Sequence, residues 1–113
     1  MIKTFENFNN DFYFRIEPDE YFEDLEIEVI DEKTSNLIKK KFLSYVNDNI
    51  EFEESKPNRL IIYLYNYHNK VTEWTIEELP DEWFIVRISE TRDDFYKCDQ
   101  LDGLMKLITD QLT

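Results

Sequence analysis

Apolar and polar positions alternate with period two through much of the second half of the chain. In Arg59-Leu60-Ile61-Ile62-Tyr63-Leu64-Tyr65, the side chains of Leu60, Ile62 and Leu64 fall on one face and those of Ile61, Tyr63 and Tyr65 on the other, as they do in a strand. Val71 to Glu78 repeats the pattern with Trp74 and Ile76, Glu82 to Ser89 with Phe84, Val86 and Ile88, and Phe95-Tyr96-Lys97-Cys98 reads as a fourth strand. Between them stand turn-forming stretches, Tyr67 to Lys70, Leu79-Pro80-Asp81 and Glu90 to Asp93. Connections this short join antiparallel neighbours, so the pattern predicts a meander over residues 59–98.

The period then changes. Leu101, Leu104, Met105, Ile108 and Leu112 recur at helical spacing, which predicts a C-terminal helix over 99–112 with Asp99 as its N-cap and Asp102 adding favourable charge in the first turn. Gly103 lies inside that helix at a cost of about 1 kcal/mol relative to alanine, which predicts that another element packs closely against it. Upstream, Leu37, Ile38, Phe42, Tyr45 and Val46 form a second helical stripe starting from Thr34 or Ser35, with Lys39-Lys40-Lys41 mostly on its wet side.

Phe12, Phe14 and Ile16 alternate as in a strand. Pro18 then opens a short helix through Tyr21, Phe22 and Leu25, in competition with a strand through Leu25, Ile27 and Val29, and periodicity alone does not choose between them. The sum is an α+β fold: an antiparallel sheet of four to five strands with two to three helices. Nothing along residues 1–113 marks a boundary, so the expectation is a single domain.

Charge narrows the partners. The 113 residues carry 26 acidic and 13 basic side chains, a net charge of -13, which opposes direct binding of nucleic acid and of anionic membranes. No apolar run reaches the length of a membrane span or a secretory leader, and Cys98 is the one cysteine, so a reducing, cytoplasmic setting is expected. Alanine is absent, glycine nearly so, and residues with AT-rich codons abound, which points to an AT-rich genome such as that of a virus, a phage, a protist or a low-GC bacterium.

Catalytic and metal chemistry find little support. His68, the one histidine, lies in a turn with no serine or cysteine near it in sequence. Cys98 reads as a buried, inert thiol, and one cysteine with one histidine cannot build a soft-metal site. Asp93, Asp94, Asp99 and Asp102 lack the spacing and glycine of a calcium loop. No cofactor, metal or catalytic residue is assigned. Among so many acids, no single carboxylate pair singles itself out for an enzyme using paired carboxylates.

Two features suggest a surface for a partner protein. The first is the acidic run from Glu17 to Glu32, represented by Glu23, Asp24, Glu26 and Glu28, which suits a basic protein or, more sharply, imitates DNA within a nucleic-acid-binding groove. The second is the other face of the meander. It carries Tyr63, Tyr65 and Trp83 where one-sided burial would leave polar residues, so it is either covered by helices or open as a contact to a partner or a second copy of the chain.

The segments Asp81-Glu82-Trp83-Phe84-Ile85-Val86 and Phe95 to Leu104 also resemble the strand, strand, helix ending of small uncharacterised proteins of large DNA viruses and protists. The resemblance covers under half the chain and implies no activity.

Overall fold

A computed structural model describes residues 12–21, 27–46, 49–56, 58–66 and 69–113. The elements run β1 (Tyr13–Ile16), α1 (Pro18–Tyr21), α2 (Glu32–Leu43), β2 (Ile50–Lys56), β3 (Arg59–Asn66), β4 (Asn69–Glu78), β5 (Trp83–Ser89), β6 (Asp93–Asp99) and α3 (Gln100–Leu112). All strands join one antiparallel sheet in the order β1-β6-β5-β4-β3-β2. The fold is α+β, as the periodicities predict, with six strands rather than four or five.

The additional strand is β2, in which Ile50 and Phe52 face the helices and Glu51 and Glu53 the opposite side, paired with Tyr63 and Ile61 of β3. The chain therefore enters at one edge of the sheet in β1 and reaches the other edge in β2. On the way α1 contributes Tyr21 to one face and α2 contributes Ile38 and Phe42 to the other.

The main core lies under α2 and α3. Leu60, Ile62, Trp74, Ile76, Phe84, Val86, Ile88 and Cys98 meet Ile38, Phe42, Leu104, Leu107 and Ile108. Phe42 stands edge-on to Trp74, with centroids 4.9 Å apart, an arrangement contributing about 0.5–1.5 kcal/mol beyond the buried area. Leu107, absent from the predicted stripe, is fully buried, whereas Leu37 and Tyr45 of the α2 stripe stay exposed. The two helices share the cover of the sheet, and the arc each buries differs from its most apolar one.

Two capping expectations need correction, one in position and one in its hydrogen bond. α2 begins at Glu32, capped by Asp31, whose Oδ1 accepts from the Thr34 amide at 2.7 Å, so neither Thr34 nor Ser35 is the cap. Asp99 occupies the N-cap position of α3, as expected, but its side chain makes no capping hydrogen bond; its backbone amide donates to the Phe12 carbonyl at 2.8 Å. Of the segment between Pro18 and Ile30, only Pro18–Tyr21 is helical among the described residues, and Glu28 makes an isolated antiparallel bridge to Glu78. Phe22 and Leu25, central to the competing readings, lie outside the described residues.

The same Phe12 carbonyl explains Gly103. A side chain at position 103 would meet that oxygen inside van der Waals contact, so the missing Cβ is what lets the chain ahead of β1 close against α3. Gly103→Ala should therefore destabilise the fold by about 1–3 kcal/mol despite alanine's higher helix propensity, read as a lower urea midpoint with an unchanged m-value.

Candidate functional site

The two faces of the sheet are unequally covered. Opposite the α2 and α3 layer, Ile16, Tyr21, Leu79, Ile85 and Phe95 form a smaller cluster, with Tyr21 stacked at a tilt on Phe95. Ile85, on the same parity as Trp83, is buried here beneath the chain's own residues. Beyond this cluster the face turns polar.

Its centre holds Glu77, only 2 % exposed. Isolating a carboxylate from water is costly unless charge and hydrogen bonds replace the lost hydration. Both do so here. Tyr21 Oη donates to Glu77 Oε1 at 3.0 Å, and Arg59 donates from Nε and Nη2 to Glu77 Oε2 at 3.1 Å each. Burial, followed by the charge of Glu77 and the hydrogen bond to it, pushes the Tyr21 phenol up to about 12.

Next to this network Tyr21, Arg59, Ile61, Glu73, Thr75 and Arg87 line a cleft of about 280 Å³. Arg87 Nη2 reaches Glu73 Oε2 only at 3.4 Å, and its buried Nε has no partner. Thr75 is 4 % exposed, and its Oγ1 is likewise without a partner. Sequence reasoning missed this cleft. The signal was present, since Arg59, Glu73, Thr75, Glu77 and Arg87 all sit on the non-core parity of their strands, but polar residues at those positions read as ordinary solvated ones.

Further along β3, Tyr63 and Tyr65 are half-buried. Tyr63 donates from Oη to Glu53 Oε1 and Tyr65 to Glu51 Oε1, each at 3.0 Å, and these carboxylates hold both phenols above their ordinary value. Neither tyrosine lies in a core cluster. Trp83 is half-buried in a different corner, where Phe14 meets it edge-on at 6.2 Å and Lys97 Nζ lies 5.2 Å from its ring centre. Tyr63 is level with Glu73 and Ser89, six residues along β5 from Trp83, or about 20 Å at 3.3 Å per residue. The tyrosines and Trp83 therefore do not form one patch.

Of the acidic run, Glu23, Asp24 and Glu26 lie outside the described residues, as does His68. Glu28 is exposed and, with Asp31 and Glu82, surrounds Glu78; burial first, then these charges, raises the Glu78 carboxyl. Cys98 is fully buried, and its burial pushes the thiol up to about 12. Among the described residues no three metal-ligating side chains converge, and no helix is long and apolar enough to cross a membrane. Comparison of the chain with family models, curated proteins and solved structures finds no match.

Two outcomes follow from the buried network. Thr75→Val removes a hydroxyl that has no partner while keeping the side chain's shape, so the melting temperature should stay the same or rise, by up to about 1 kcal/mol of stability. The Tyr21 phenol keeps its proton to higher pH in the folded than in the unfolded chain, so its contribution is complete below about pH 10 and is lost as pH rises toward 12. Urea titrations at pH 9 and pH 11 should show a smaller loss of stability in Tyr21→Phe than in the parent.

Proposed function

We propose that this chain is a non-enzymatic protein-binding module that receives a basic partner on the part of its sheet around Tyr63, Tyr65, Glu51 and Glu53, which no helix among the described residues covers. The observation that carries this reading is the anchoring of both tyrosine hydroxyls by carboxylates of the neighbouring edge strand. Such anchoring fixes half-buried rings before any partner arrives, and rings held in place lose little entropy on binding. Carboxylates beside aromatic faces suit lysine or arginine, which gain both ion pairing and cation–π attraction there.

Charge favours a basic protein over a second copy, because two chains of net charge -13 repel each other. The run through Glu23, Asp24, Glu26 and Glu28 adds long-range attraction for the same partner. Trp83 is left out of this surface, since Lys97 already occupies its ring.

The test is affinity capture with mass spectrometry, followed by binding kinetics on the captured protein. Reversing Glu51 and Glu53 to lysine should slow association about tenfold or more at low salt, with the difference shrinking as salt screens charge within about 8 Å at 0.15 M. Tyr65→Ala should weaken the complex by about 1–4 kcal/mol. Equal recovery and equal kinetics with the reversed variant would remove this surface from consideration.

A further inference from the structure

We propose that the partner binds as an added strand along the outer side of β2, through an extended segment in which basic residues alternate with apolar ones. The inference rests on the reading of the surface around Glu51 and Glu53 as the docking site, and it names the form of what docks there. β2 ends the strand order and pairs with β3 alone, so among the described residues nothing takes up the backbone N–H and C=O groups on its outer side. Such groups are a template for another chain.

Proteins commonly guard an edge of this kind with charged side chains. Here the acids are drawn back from it. Tyr65 and Tyr63, both on β3, hold Glu51 and Glu53 by one oxygen each at 3.0 Å, and Ser35 Oγ and Lys39 Nζ of α2 hold Glu54 at 2.6 and 3.0 Å. The edge backbone is left clear, with the acids beside it.

The alternation in β2 dictates the alternation of the segment, because residues opposite each other on neighbouring strands share a face. Positions beside Glu51 and Glu53, both exposed, select lysine or arginine; Oε2 of each glutamate has no partner among the described residues and can accept from the cation. Positions beside Ile50 and Phe52 select apolar side chains, since both pack half-buried against the main core and a neighbour there would extend that row. The ladder to β3 is regular over Ile50–Glu53 and shifts between Glu53 and Lys56, so about four residues of the segment are read in this way. A second copy of the chain pairing β2 with β2 would set glutamates beside glutamates, which repel. The opposite edge, β1, presents Arg15 and no acid over Tyr13–Ile16, so it does not select a basic segment.

The experiment is a titration of the intact protein at low salt with three peptides of equal charge, followed through the backbone amide signals by NMR. The first is a heptapeptide of alternating lysine and valine. The second gathers the same lysines and valines into two blocks. The third is the alternating peptide methylated on every backbone nitrogen, which keeps its side chains and removes its N–H donors. The alternating peptide should give saturable shifts over Ile50–Glu53 and bind about tenfold or more tightly than either of the others. Reversing Glu51 and Glu53 to lysine should weaken it by about tenfold or more. If all three peptides bind alike and the reversal weakens them equally, the docking surface stands and strand addition is overturned. If the reversal changes none of them, the surface falls and this inference with it. No saturable shift with the alternating peptide, shifts centred on β1, or a chain whose mass doubles with concentration through pairing at β2 would also overturn it.

Discussion

A carboxylate buried in the middle of a sheet face sets the plan of this molecule. Glu77 is almost fully enclosed, so Tyr21 and Arg59 must converge on it, and Tyr21 comes from the short helix that crosses that face. The network thereby ties the segment after β1 to the centre of β4 and ends the apolar cover there. Ile16, Ile85 and Phe95 form the dry, packed cluster over β1, β5 and β6, and Thr75, Arg87 and the two tyrosines carry the same face across β5, β4 and β3. Removing one partner of such a group strands a charge, whereas replacing the whole set with apolar residues would close the cleft. The polar network thus helps keep part of the sheet uncovered.

The arginines follow the same logic. The chain has four, and each meets a carboxylate: Arg15 and Arg92 at Asp94, Arg59 at Glu77, Arg87 at Glu73. Arginine's planar fork suits fixed geometry better than lysine's mobile ammonium. Six of the nine lysines have described side chains; some lie over aromatic rings, as Lys39 over Phe52, Lys41 over Tyr45 and Lys97 over Trp83. In an acidic protein the scarce positive charges are thus largely engaged within the fold, and acids beyond those pairings define the field a partner meets.

How far the sequence reveals this depends on period. β3 to β6 and α3 are visible because long apolar rows on one parity, or one stripe, follow directly from one-sided burial. β2 is hard to see in the sequence because only Ile50 and Phe52 carry its pattern, between Asn47-Asp48-Asn49 and Glu53-Glu54, although Ile50-Glu51-Phe52-Glu53 alternates cleanly and Pro57-Asn58 follows. The α2 cap is ambiguous in the sequence because Asp31, Thr34 and Ser35 are all good capping residues, and only the backbone path chooses among them. Asp99 stands at the cap position of α3 as its chemistry suggests, while its amide meets the Phe12 carbonyl from across the chain, a contact that no local pattern encodes.

The cleft was illegible for a deeper reason. Alternation assigns a parity to each face, and parity decides core or surface only when one face is wholly buried. Among the described residues one face is half covered, so Ile85, Thr75 and Tyr63, all of the same parity in the ladder, find themselves in the core, in the cleft and half-buried beyond it respectively. What separates them is distance from Tyr21, fixed by a hydrogen bond between residues 56 positions apart. A residue's role on this face is therefore set by where the crossing segment stops, and the buried Glu77 marks that limit.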